Sequence, residues 1–290
     1  MKTAFLLLNF GTPKAPTRKA VRSYLTEVLS DLSFRFLPKL LQQILIRWII
    51  IPWRLNETVK RYKSSWTEEG SLLFVYSKRL CDKLSKNLSC PTALAMKYGS
   101  PSIAPTHEPL IVFSLFPIKT KFESAFEGPP EHTLIADYYV EPWFIEPSAQ
   151  LLSQAKPSEY DHTLFSFHAL PLSYEGVDEY VQKCHQMAGA IAKAANVKEY
   201  SVCFQSKMGF GKWTEPEISN HLAKLAAGGK KRVLLMMPGF IVDCLETVGD
   251  FTKYRFDFIS SGGEELGFVG ALNDFEPWVN QLTQYVRKLL

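Results

Sequence analysis

The chain has 290 residues, with 33 Lys plus Arg against 29 Asp plus Glu; the net charge of +4 is too small a surplus over too long a chain for a duplex nucleic-acid surface. With 46% hydrophobic and 13% aromatic residues it can bury a sizeable core, and its length suggests two domains of ordinary size. Five cysteines, at positions 81, 90, 184, 203 and 244, form no CxxC pair and no even framework, which fits a reducing compartment and argues against a structural zinc or iron–sulfur site.

Ala4 to Leu8 form an apolar run shorter than a signal-peptide core and without a cleavage signature, so the chain opens on a buried strand near residues 5–9. A helix is expected over 17–30 and another over 37–50. In the second, Leu37, Leu40, Leu41, Ile44, Leu45 and Trp48 recur at helical spacing, while Ile46, Ile49, Ile50 and Ile51 add apolar surface around that face. Lys39, Gln42, Gln43 and Arg47 interrupt the run before it reaches the roughly 20 apolar residues of a membrane span. Two readings stand for this element: a helix wedged between lobes, or an exposed lip that touches a lipid surface or an apolar ligand. Arg54, just past Pro52, would meet an anion at such a lip.

Beyond the lip, short apolar runs rich in β-branched and aromatic residues alternate with amphipathic stretches, the pattern of an α/β protein with parallel sheets flanked by helices. After the first strand, strands are expected over 93–98, 110–116 and 133–139, then over 163–168, 200–205, 232–237 and 266–272; helices fall over 71–87, 147–154, 176–194, 215–226, 241–251 and 274–290. Pro142, Pro147 and Pro157 mark a domain boundary within 141–160. Between Tyr98 and Leu110 lie eleven residues with three prolines, too few for a crossover helix, so either these strands are not neighbours or a crossover has been lost. A weak echo supports a duplicated plan, because FLLLN runs into Phe10-Gly11-Thr12-Pro13 as TLFSF runs into His168-Ala169-Leu170-Pro171. Both turns lie at carboxyl ends of strands, where open α/β sheets bind ligands, so a cleft between two lobes is expected.

Three constellations carry chemistry. His168 ends a strongly apolar strand, where a neutral imidazole is suited to ligate a metal or accept a proton; a hydrogen-bonded core histidine is the plainer reading. In MMPGFIVDCLETVGD, Asp243, Glu246 and Asp250 are spaced i, i+3 and i+7 and share one face of the expected helix, either as a solvated acidic stripe or as a route for protons or cations. Glu246 stands among Ile241, Val242, Cys244, Leu245 and Val248, and a partly buried carboxylate with a raised pKa is what a proton acceptor near neutrality requires. The third is Phe204-Gln205-Ser206-Lys207-Met208-Gly209, leading to Trp213 and Pro216, where a strand-end Ser and Lys suit a carboxylate and Trp213 a flat aromatic ligand. No GxSxG, GxxxxGKS or GxGxxG occurs, so hydrolase and nucleotide-enzyme readings lose most of their support.

Taken together, LLLNFGTPKAPT, VLSDLSF with the following Leu37-Pro38, WTEEGS, AMKYGSPSI, SFHALP, FQSKMG with Trp213 and Pro216, PGFIVDCLET and ALND resemble, in order, the ferrochelatase family of class II chelatases, which insert ferrous iron into a porphyrin to make haem. The resemblance implies two Rossmann-like domains with parallel sheets and no nucleotide, an active site in the inter-domain cleft, and domains at 1–145 and 146–273 with a helix at 274–290 packing back on the first. It implies that His168 and Glu246 are the catalytic, metal-handling pair facing each other across the macrocycle. By the same resemblance, Asp243 and Asp250 line a route for metal or protons, Arg54 and Ser206 lie near the porphyrin propionates, and Tyr62, Trp213 and the lip over 34–53 form walls. Iron is then a substrate. No tightly bound cofactor, iron–sulfur cluster or nucleic acid is expected; the porphyrin is protoporphyrin IX or coproporphyrin, and the location is cytoplasmic with peripheral membrane contact at the lip. Such a reaction needs a base for two pyrrole protons and a group that hands over the cation; zinc and cobalt suit an imidazole–carboxylate pair as well as iron does.

The chain also departs from the family pattern. Lys119 replaces a tyrosine of the pocket loop, Lys121-Phe122-Glu123 replaces its hydroxyl-rich continuation, and Lys97 and Lys207 stand where arginines are common. These departures leave open a porphyrin- or haem-binding relative with altered catalysis, or a chelatase for another metal or tetrapyrrole.

Overall fold

Two runs of backbone buried on both faces set the architecture. Ala4–Thr12 (β1) and His162–His168 (β7) are covered above and below along nearly their whole length, and each is a central strand of a parallel sheet. The computed structural model describes residues 3–31, 39–102, 109–120, 132–207 and 211–290. Around β1 stand Thr92–Gly99 (β4), Leu110–Ser114 (β5) and His132–Ile135 (β6), in the order β4-β1-β5-β6. Around β7 stand Tyr200–Gln205 (β8), Arg232–Met236 (β9) and Glu265–Val269 (β10), in the order β10-β9-β7-β8. Every pairing in both sheets is parallel.

By chain order both sheets read second, first, third, fourth, so the duplicated plan is present in the topology. In each, the first strand feeds a neighbour on one side and then the chain crosses to the other, which makes the edges beyond Thr12 and beyond His168 the two switch points. The expected conflict between β4 and β5 resolves because β1 lies between them; residues 103–108 of that connection lie outside the described residues, as do 121–123. A two-rung antiparallel hairpin, Trp66–Thr67 (β2) with Gly70–Ser71 (β3), was not foreseen.

Among the described residues the α-helices are Arg18–Asp31 (α1), Lys39–Leu45 (α2), Ile51–Ser64 (α3), Leu72–Asn87 (α4), Pro142–Gln154 (α5), Val177–Ala194 (α6), Ile218–Ala227 (α7), Asp250–Ser260 (α8) and Glu276–Arg287 (α9). Pro52 does not end the second helical run. A π-helical turn at Ile46–Ile50 widens the backbone, and Pro52 falls just past it at the start of α3, inside a helical run that continues from Lys39 to Ser64. Leu55, Val59 and Tyr62 recur along the buried face of α3, a periodicity present in the sequence but masked by the proline. The wedged-helix reading of the lip is corrected as well. Ile46 and Ile51 are buried against Leu29, yet Leu40, Trp48 and Trp53 are 73%, 73% and 78% exposed, so the greasy face looks outward.

One core joins both sheets: Phe5 and Phe113 of the first and Phe165, Phe167 and Phe204 of the second belong to a single buried cluster. α9 closes it. Trp278 is fully buried, stacks on Trp143 of α5 at 6.0 Å and 16°, and lies edge-on to Phe144. Lys83 of α4 bonds Asp274 and Glu276 at the start of α9, and Arg287 at its end donates to the Asn87 carbonyl at 2.6 Å.

Candidate active site

β7 delivers His168 to the edge of the second sheet, register-paired with Gln205 at the end of β8. Tyr180 of α6 donates to the His168 carbonyl at 2.8 Å, and the ring Nδ1 lies 2.8 Å from the Ala169 carbonyl. A carbonyl can only accept, so in the neutral ring Nδ1 is the protonated nitrogen and Nε2 the one with the lone pair. This is the second-shell arrangement that orients metal-ligating histidines and fixes their tautomer.

Glu246 follows β9 on a turn that sequence periodicity misread. Residues 241–251 are not one α-helix: Ile241–Cys244 are irregular, Leu245–Gly249 form a π-helical turn, and α8 begins at Asp250. Asp243 therefore leaves the expected stripe, whereas Glu246 and Asp250, four residues apart across the π turn, stay within electrostatic reach of each other. Gln205 ties this turn to the strand edge. Its Nε2 donates to the Glu246 carbonyl at 2.7 Å while Ser166 donates to its Oε1 at 2.8 Å, so one fully buried amide is bonded to both β7 and the π turn.

The two outer acids have partners. Asp243 is buried: it accepts from Asn273 Nδ2 at 2.7 Å, from the Ala271 N–H at 3.2 Å and from Thr247 Oγ1 at 3.0 Å, and its own N–H donates to Asn273 Oδ1. That carboxylate braces the entry to the π turn rather than opening onto a route. Asp250 is held by Arg61 of α3, whose Nη2 reaches both oxygens at 2.6 and 2.7 Å from the other lobe. Burial opposes the Arg61 charge, but the Asp250 and Glu246 carboxylates more than offset it and raise its pKa; on Asp250, burial and the Glu246 charge outweigh the pull of Arg61 and push the carboxyl up.

The first lobe faces Glu246 with phenols. Tyr62 and Tyr24 are buried, edge to face at 6.4 Å, and join Leu245 of the π turn in one cluster. Burial raises both, with the Glu246 carboxylate adding to it, so both remain protonated near neutrality. Trp66 lies edge-on to Tyr62 at 6.2 Å. Arg54, half-buried on α3, has its pKa lowered first by burial and then by the charge of Arg61.

Three buried polar atoms along these edges have no hydrogen-bond partner: Thr12 Oγ1 at the end of β1, Ser206 Oγ just past β8, and Trp213 Nε1. Ser206 sits at φ 63° beyond Gln205, and Trp213 pairs with Pro171 in the loop that follows His168. Orphaned buried polar atoms are uncommon, and among the described residues Trp143, His162, Trp278 and Thr283 carry others away from these edges. Met208 and Gly209 of the same run lie outside the described residues. Thr12, Gln205 and Arg61 are the residues that motif reading missed; Gln205 stood inside a quoted run, but nothing local tied it to Glu246.

The ferrochelatase family model matches residues 2–290. The chain is similar to the ferrochelatase of Cronobacter sakazakii, 35% identical over 302 residues and covering 94% of each chain, and to that of Edwardsiella ictaluri, 35% identical over 314 residues and covering 98% and 97%. Among solved structures it is similar to CbiX, the terminal enzyme of sirohaem biosynthesis in denitrifying bacteria, at 10% identity over the full length of both chains with a TM-score of 0.55, a likeness of fold alone.

Proposed function

The chain belongs to the ferrochelatase family, and from that premise we propose that it inserts ferrous iron into a porphyrin to form haem, with His168 and Glu246 as the working pair. The observation that supports this reading is the Ser166–Gln205–Glu246 strut, which ties the backbone of the π turn that bears Glu246 to the strand ends where His168 stands.

Two N–H bonds of the macrocycle are lost and its four nitrogens take the metal, with two protons released and no change of oxidation state. His168 Nε2 takes the two pyrrole protons one at a time, passing each to solvent before the next, because its other nitrogen is already committed to Ala169. Glu246 receives the cation and passes it to the ring, while the protonated Tyr62 and Tyr24 wall the first-lobe side without offering a competing anion. Ser206, Trp213 and Arg54 hold the porphyrin carboxylates and edge. The chain is read as domains 1–145 and 146–273, with 274–290 returning to the first. No helix among the described residues is long and apolar enough to cross a membrane; the lip instead rests on a lipid surface, near which a porphyrin is soluble.

Anaerobic metalation of protoporphyrin, followed by its absorption spectrum with ferrous or zinc ion, tests the assignment. His168→Ala and Glu246→Ala are each expected to slow the reaction by about 10²–10⁴-fold, the usual loss when a proton-transfer group is removed. Porphyrin that binds but is metalated no faster than in buffer sinks the enzymatic reading, and full activity in either variant removes that residue from its role.

A further inference from the structure

Arg61 reaches across from the first lobe to Asp250, the acid four residues on from Glu246 and within electrostatic reach of it. Its guanidinium bonds both oxygens of Asp250, with the two side chains 35% and 14% exposed, and it also lies within electrostatic reach of Glu246. The Glu246 and Asp250 charges act on each other in turn. Around this contact the lobes meet closely: a Cβ on Gly249 would lie 3.8 Å from Ser65 Cβ of the first lobe, and Leu245 is buried with Tyr62. The pair is thus built into the lobe junction and is not a floppy surface ion pair.

Resting on the chelatase reading, we propose that Arg61 is a metal-affinity governor: by engaging Asp250 it leaves the incoming cation a single carboxylate, Glu246, and its positive field keeps that carboxylate's hold weak enough for the cation to move on to the macrocycle. The physical reason is that a chelatase must not be a good chelator. Two ionised carboxylates close together bind a divalent cation far more tightly than one, and a tightly held cation is one the porphyrin nitrogens cannot strip away. A guanidinium is an effective neutraliser because it is always charged, and here its Nη2 alone reaches both oxygens of Asp250. Arg61 acts through Asp250 and Glu246 and so is a positioning residue, not a catalytic one.

The two halves of the pair should then shift metal handling in opposite directions, which loss of packing cannot do. With the full-length protein, zinc titration by calorimetry without porphyrin and anaerobic kinetics with varied metal at saturating porphyrin are measured for Arg61→Gln, Asp250→Asn, the double variant and Arg61→Lys. Arg61→Gln is expected to bind zinc about tenfold more tightly with both KM for metal and kcat lowered, and Asp250→Asn, which leaves Arg61 facing Glu246 unshared, to raise KM for metal about tenfold, shifts of one charge contact each. The double variant returns zinc affinity toward the parent, Arg61→Lys keeps the charge and most of the effect, and porphyrin affinity by fluorescence quenching is unchanged throughout. Shifts of the same sign in Arg61→Gln and Asp250→Asn, or shifts within twofold, overturn the proposal. If the parent protein fails to metalate porphyrin, the functional reading fails, while the zinc titrations still decide what Arg61 does.

Discussion

Ser206 keeps a buried hydroxyl with nothing to bond, an arrangement that costs a folded protein about 1–3 kcal/mol and persists only if something is gained elsewhere. Alanine removes that cost from the free protein and a donor from the liganded one. Ser206→Ala is therefore expected to melt at the same temperature or higher while binding porphyrin about fivefold more weakly, the size of one hydrogen bond; paired thermal melts and fluorescence-quenching titrations check this, and unchanged affinity would take Ser206 out of the pocket. Residues of this kind divide by how local their meaning is. His168 was legible because a histidine closing an apolar run will stand at a sheet edge whatever surrounds it. Gln205 and Arg61 were not, because each matters through a partner 41 or 189 residues away. The acids near Glu246 show the converse: their spacing was read correctly, but a π turn gave those offsets a different geometry and their charges went to Asn273 and Arg61.

At the scale of elements, all eight long strands lie where alternation and β-branched content placed them, because a strand buried on both faces of a parallel sheet has little choice of residue. In the run from Lys39 to Ser64 the helix continues past Pro52 through a π turn, and of the two readings of its apolar stripe the exposed one holds, because the helix lies on the rim. Beside the rim a groove of about 670 Å³ is lined by Arg22, Glu27, Arg47 and Trp48 together with Ser23, Thr26 and Ser30. Exposed indoles with arginines alongside support the proposed contact with anionic lipid. Trp48→Ser with Trp53→Ser is expected to abolish flotation with vesicles containing phosphatidylglycerol and leave zinc insertion into a water-soluble porphyrin intact, whereas Arg22→Gln with Arg47→Gln should weaken flotation most at low salt. Undiminished flotation of the tryptophan variant would show that the lip does not touch the bilayer.

Across the whole molecule, the repeated strand order places two switch points, and the shared core locks them into one body, so that α3 of one lobe ends against the π turn of the other. The far end of the second sheet carries a weakness set by pH. His162, 8% exposed at the start of β7, bonds Ser201 Oγ at 2.8 Å, which in turn bonds His221 Nε2 at 2.8 Å. Burial first, then the charges of Lys230 and His221, lower His162 from 6.5 to about 4, with Glu199 pulling the other way. Burial and Lys224 lower His221 in the same direction. Between the two His162 values the unfolded chain binds a proton that the folded chain refuses, so stability rises with pH through that window and is level above it. The difference amounts to about 3 kcal/mol for a shift of this size, enough to matter against a total stability of about 5–15 kcal/mol. Urea unfolding between pH 4 and 7 is expected to show that slope in the parent and to lose most of it in His162→Gln, which keeps a partner for Ser201 and cannot titrate. A variant as acid-sensitive as the parent would move the acid weakness to another group.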